Sequence, residues 1–354
     1  MGTTLASYAS QMSTVSKTRA LTVVTEAYIV AIGAAAVWLW WGPSTGRLWL
    51  DTLIADVIAT LVVFVFSRAY RNSSFYDAYW SVIPPLMLFY WWARSSPDVD
   101  VLRCWLLAIV VVAWAIRLTG NWIYGFPGLH HEDWRYPLLR GRAGRFEFVA
   151  DLFAIHLIPT LQVFLGMVPA YVAVTRPEAD IRWLMWVAFV IGIAAVALEF
   201  VADLQLHRFV AERRPGQALD TGLWSWSRHP NYFGECSFWF AVALFGVAAA
   251  PRDAWWLFAG AALMLTLLSR SQRDLELCTV DLKSTDATYK TVRLLSEHSD
   301  AWINLDQEMP RVLKDGSGFL WSTEQSGGRE LELRDFSGGL VRVLVPRDGG
   351  VHRL

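Results

Sequence analysis

Long apolar runs separated by short polar links recur along this chain, and they constrain its fold more than any other feature. They cover Val23–Trp41, Leu48–Phe66, Ala78–Ala93, Val101–Leu118, Glu147–Val174, Trp183–Ala202, Pro230–Ala250 and Ala254–Ser269. The seventh holds about 21 residues, or about 31 Å of helix, enough to cross a bilayer. Within hydrocarbon a helix satisfies its own backbone hydrogen bonds, so the expected fold is all-α: a polytopic bundle of about eight spans. Pro159 and Pro169 fall inside the fifth run, which reads as one kinked span. The first run is long for a signal segment and lacks a clear small-residue cleavage site, so it reads as a retained span.

Composition agrees. Hydrophobic residues make up 55% of the 354, charged residues only 18%, and there are 20 Trp. A net charge of -1 gives no reason to expect nucleic acid as a partner. Cys104, Cys236 and Cys278 lack metal or disulfide spacing, and no metal is expected. The adjacent residues His130, His131, Glu132 and Asp133 lack the HExxH spacing that puts two histidines on one helical face. No obligate protein partner is evident. The expected partners are membrane lipids and a lipophilic small molecule.

The organisation expected is a polar N-terminal segment (1–20), a transmembrane domain (21–290) and a polar C-terminal appendage (291–354). In the last, glycines punctuate short alternating stretches such as Glu330–Leu333 and Leu340–Leu344, which suggest small hairpins. Lys and Arg number 13 on one set of loops and 6 on the other. The positive-inside rule then places both termini and both motif-bearing loops in the cytoplasm, of the endoplasmic reticulum in a eukaryote or the inner membrane in a bacterium.

Ionisable and polar groups break the apolar pattern at a few places. Asp56 lies about a third of the way into the second run, costly there unless it faces a partner or a wet cavity. Asp77, Tyr76, Tyr79 and Trp80 crowd the start of the third run, as an aromatic belt or as proton-handling groups. His156 reads as a satisfied bundle residue or a substrate contact. Glu199, Asp203 and His207 recur every four residues and share a helical face. A second dense stretch, Arg117 to Arg140, interleaves Trp122, Tyr124, Trp134 and Tyr136 with Glu132, Asp133, Arg135 and Arg140. The densest is Thr221 to Glu235. Pro230 disfavours a helical His229, so the chain arrives extended and turns into a helix, placing Arg228 and His229 beside free N–H groups suited to an anion.

Gly222-Leu-Trp-x-x-x-Arg228-His-Pro-Asn-Tyr-Phe-Gly-Glu235 resembles the C-terminal signature of the steroid 5-alpha-reductase superfamily, most closely its DUF1295 membrane-protein branch. Asn72-Ser-Ser-Phe-Tyr-Asp-x-Tyr-Trp-Ser81 looks like that branch's N-terminal motif. Arg117-Leu-x-x-Asn-Trp122, Glu132-Asp-Trp-Arg-Tyr136 and Glu199-Phe-x-x-Asp-x-Gln-x-x-x-Phe209 resemble further family elements. The resemblance spans roughly 72–270, with only loose matches at Leu275-Glu276 and Tyr289.

The resemblance implies NADPH-dependent reduction of an activated carbon–carbon double bond in a steroid-, sterol- or polyprenol-like substrate. Asn121, Asp133, Arg135, Arg140, Asp203, Arg228, His229, Asn231, Tyr232 and Glu235 are its candidate cofactor-binding residues. Asp77 and Tyr79 are candidate catalytic residues on chemical grounds. Glu199 is open to a structural role, and Asp203 to a place around the cofactor. The same Arg-His-Pro-Asn-Tyr loop also serves related S-adenosylmethionine-dependent methyltransferases. A non-enzymatic membrane or transport role is the third reading, and clustering of the polar residues near one interface argues against it.

Overall fold

The computed structural model describes residues 16–133, 135–177, 181–212, 219–268, 274–280, 291–298, 309–323 and 330–346. Apolar helices stand at all eight expected places, α1 Lys17–Trp41, α2 Leu48–Tyr70, α3 Tyr79–Ala93, α4 Val101–Gly125, α6 Ile158–Thr175, α7 Arg182–Glu212, α8 Pro230–Ala249 and α9 Ala254–Leu268, and a short polar helix, α5 Arg135–Ala143, lies between α4 and α6. Among the described residues six helical stretches are long and apolar enough to cross a membrane. At 15 residues each, α3 and α9 fall short of that length. The chain is thus a membrane-embedded helical bundle with a small strand-bearing part. Its outward-facing apolar residues, including Val65, Trp105, Ile116 and Val190, belong in lipid.

Two helices run further than their apolar content announces. The fourth run ends at Leu118, yet α4 continues to Gly125, and the sixth ends at Ala202, yet α7 continues to Glu212. In both, polar residues spaced four apart extend one helical face. Arg117 and Asn121 project from α4 in this way, Glu199 and Asp203 from α7. The fifth run is continuously helical from Glu147, and a π-helical segment, Asp151–Leu157, precedes α6. π-segments re-aim side chains. This one contains Asp151 and His156, both buried.

Between α2 and α3 the chain reverses through Arg71 at φ 53° and a turn, Ser73–Phe75, capped by Asn72. The Asn72 amide donates to the carbonyls of Leu129 and His131, each at 2.9 Å, tying that turn to the loop after α4.

The chain forms two compact units, Met1–Leu204 with Trp226–Leu268, and Gln205–Ser225 with Ser269–Leu354. The first has a core built on Trp91, Trp114 and Trp239, all fully buried. Helix α8 approaches α7 closely because residue 234 is glycine: a Cβ there would overlap the Glu199 side chain and lie 3.0 Å from the Ala195 carbonyl. In the second unit β1 (Asp274–Val280) and β2 (Thr291–His298) pair antiparallel. Strands β3 (Arg311–Val312), β4 (Phe319–Thr323), β5 (Glu330–Arg334) and β6 (Leu340–Val345) form an antiparallel meander. The alternating stretches at 330–333 and 340–344 are therefore strands.

Candidate functional site

Three helix ends bring one cation and three carboxylates together. Arg117, near the end of α4, donates to Asp203 at 2.9 Å, lies 3.4 Å from Glu235 and makes an ion pair with Glu199. Glu199 and Asp203 come from the C-terminal half of α7, Glu235 from the second turn of α8. All three carboxylates are buried. One guanidinium cannot balance three carboxylates, so donors are recruited from around them. The indoles of Trp114 and Trp239 donate to Glu235 at 3.1 and 2.9 Å. The amides of Asn121 and Asn231 donate to Asp203 at 3.1 and 3.3 Å. Oε1 of Glu199 is buried and has no hydrogen-bond donor among the described residues.

Helix α8 begins at Pro230, as the X-Pro rule requires. His229 before it is non-helical (φ -142°, ψ 67°) and its side chain makes no cap, while the Asn231 side chain accepts from the Tyr232 N–H at 3.0 Å. The His229 ring stacks on Tyr232 at 5.1 Å, and Arg228 is exposed beside it. Of the candidate cofactor-binding residues, the structure therefore gathers Asn121, Asp203, Asn231 and Glu235 on Arg117, with Arg228, His229 and Tyr232 at the start of the same helix.

Arg135, Arg140 and Asp133 are engaged elsewhere. Arg135 forks onto Asp133, at 2.7 and 2.5 Å. Arg140 pairs with Glu132, donates to Ser73 at 3.0 Å and lies 3.8 Å from Asp151. Asp151 also receives Arg68 at 3.0 Å and the Ser73 hydroxyl at 2.8 Å. His156 is partnered at both ring nitrogens, by the Asp151 carbonyl at 2.8 Å and Ser67 at 3.1 Å. This second network fastens the turn after α2 to the start of α6.

Nor does the structure pair Asp77 with Tyr79. Asp77 accepts from the Tyr136 hydroxyl at 2.5 Å. Burial pushes its carboxyl up to about 6, against the opposing effect of hydrogen bonds from Tyr136 and Ser74. The Tyr79 hydroxyl donates instead to Asp56 at 2.9 Å, with both residues buried. Asp56, Tyr76, Tyr79 and Thr160 border a void of about 10 Å³, a volume that admits roughly one water. Tyr76 and Thr60 each meet the Thr160 hydroxyl, at 2.7 and 2.9 Å. Arg117 and Asp56 are thus site residues missing from the sequence-based candidates. An ionisable side chain inside an apolar run is the signal that marks both.

The family model described as "Protein of unknown function (DUF1295)" matches residues 63–291, well over half of the chain. The chain belongs to the DUF1295 family. Within this DUF1295 protein the match takes in the turn at Asn72, the Arg117 group and the start of α8. A partial match, over residues 251–350, is to the N-terminal region of dipeptidyl peptidase IV. An uncharacterized protein of Schizosaccharomyces pombe is 26% identical over 220 residues, 55% of this chain and 63% of that protein. The chain thus matches less than two thirds of that relative's length. No solved structure matches.

Proposed function

We propose that this DUF1295 protein is a membrane reductase of the steroid 5-alpha-reductase type, using NADPH to saturate an activated double bond in a lipophilic substrate. The observation that carries the reading is the Tyr79–Asp56 hydrogen bond, an acid pair inside an apolar bundle. A reductase of this kind needs a proton donor in a dry cavity near the substrate carbonyl. With Asp56 protonated, the hydrogen bond reverses, and the Tyr79 O–H is left for a substrate oxygen once the one-water void beside it opens to admit the substrate. Negative charge develops on that oxygen as the double bond is reduced. Asp56 takes the place beside Tyr79 that the sequence suggested for Asp77.

The Arg117 group fits a nicotinamide nucleotide. The buried, donor-less Oε1 of Glu199 is an acceptor that a carboxamide N–H would satisfy. Arg228 and His229, at the start of α8, suit phosphate. NADPH, when bound, supplies the hydride. With both motif loops on the cytosolic side, as the charge bias expects, the nucleotide would be drawn from the cytosol. Methyl transfer from S-adenosylmethionine would leave the Tyr79–Asp56 pair without a role.

The test is turnover by the full chain in nanodiscs, with cholest-4-en-3-one, a sterol or a polyprenol. Tyr79→Phe should lower NADPH-dependent reduction by about 100-fold or more while NADPH binding persists. Absence of NADPH-dependent reduction across all three substrate classes would overturn the reading.

A further inference from the structure

A large cavity lies away from both polar groups. It is a groove of about 700 Å³ between α2, α6 and α9, lined by Trp49, Leu53, Leu161, Leu165, Val168 and Trp256. Its floor is one face of α6: residues 161, 165, 168, 172 and 175 recur every three or four positions, over about 21 Å of helix. That is longer than half the hydrocarbon thickness of a bilayer, about 15 Å. Leu161 and Leu165 are 40% and 47% exposed, so the groove is open along its flank. In a membrane-embedded bundle that flank meets lipid and not water.

One end of this apolar groove is cationic. Arg176, the residue after α6, lines it and is exposed, and it has no ion pair among the described residues. The final carbonyls of a helix normally make its C-terminus repel an anion. Here one of them, that of Ala173, and two carbonyls just past the helix are taken by Arg103, which is fully buried. It donates to the carbonyls of Ala173 at 2.7 Å, Arg176 at 2.6 Å and Pro177 at 2.8 Å. Among the described residues the nearby carboxylate is Asp100, which caps the start of α4 through the N–H groups of Leu102 and Arg103. The local chemistry is therefore a long apolar slot ending at a guanidinium whose fork suits a phosphate diester.

We propose that this groove is a phospholipid site, with one acyl chain along α6 between Leu161 and Val172 and the phosphate against Arg176. It is separate from the reductase reading and stands or falls without it.

Native mass spectrometry of the full chain in detergent tests the site, with dioleoylphosphatidylglycerol and dioleoylglycerol compared at equal concentration. The two share acyl chains and differ by the phosphate. The wild type should retain one phosphatidylglycerol on the order of tenfold better than the diglyceride, the effect of one charge-assisted hydrogen-bond set. Arg176→Gln should bring phosphatidylglycerol down to the diglyceride level. Leu165→Trp, filling the slot from an exposed position, should lose both lipids, whereas Val190→Trp on a different lipid-facing surface should lose neither. Equal retention of the two lipids by the wild type, or an unchanged preference in Arg176→Gln, would overturn the phosphate assignment. Undiminished binding in Leu165→Trp would overturn the groove.

Discussion

Arg117 shows how a single residue organises the site. Its guanidinium faces Glu199, Asp203 and Glu235, all buried, so removing it would leave three carboxylates in low dielectric without a counter-charge. Arg117→Leu should cost about 3–5 kcal/mol of stability, by analogy with other buried pairs that lose one partner. Thermal unfolding in detergent would show this, with Glu235→Gln as a milder control that keeps an acceptor for one of the two indoles. The cluster was only partly legible in the sequence. The four-residue spacing announced the face shared by Glu199 and Asp203, and the dense motif announced Asn231 and Glu235. That Arg117 meets them depends on how α4, α7 and α8 pack against one another, which hydropathy does not report; Asn121 and Asp203 lie where α4 and α7 extend past their apolar runs.

Asp77 makes a pH-dependent contribution. Its carboxyl stands at about 6 in the folded protein, above the ordinary carboxylate value, because burial disfavours the charged form. The folded state therefore holds the proton more tightly, and stability is highest below about pH 4. It falls as pH rises through about 6. The change should be about 1–2 kcal/mol, discounted for the side chain's partial exposure. Asp77→Asn should remove that part of the pH dependence of the unfolding midpoint. An unchanged profile would show that Asp77 ionises normally. The sequence marked Asp77 and Tyr79 as neighbours in one motif, yet adjacency on a helix start sends side chains in different directions. Tyr79 faces Asp56 and Asp77 faces Tyr136.

At the scale of elements, the site exists because α7 and α8 touch closely. Gly234 permits this, since any Cβ at that position would collide with Glu199 and crowd the Ala195 carbonyl. Gly234→Ala should push the helices apart at a cost of about 1–3 kcal/mol. Because Glu199 and Glu235 are displaced with them, nucleotide binding should fall together with stability. A variant of wild-type stability would show that the contact relaxes freely. All eight apolar helices were readable from run length and composition, and the α8 start from Pro230. The π-segment at Asp151–Leu157 was not, because no local propensity separates it from ordinary helix. It follows from which side chains must reach Arg68, Arg140 and Ser73.

Across the whole molecule, a cation-centred polar group where α4, α7 and α8 meet is separate from an acid pair, Asp56 and Tyr79, within the bundle. A membrane reductase requires this division, with a polar nucleotide site on one side and a dry proton donor on the other. The most direct measurement is equilibrium binding of NADPH, NADH and S-adenosylmethionine to the purified full chain in nanodiscs at fixed salt, comparing the wild type with Arg228→Ala. NADPH should bind the wild type, and Arg228→Ala should weaken it by about 1.5–3 kcal/mol, the worth of one charged hydrogen-bond set. No NADPH binding alongside tight S-adenosylmethionine binding would contradict the account, and unchanged NADPH affinity in Arg228→Ala would remove Arg228 from the phosphate site.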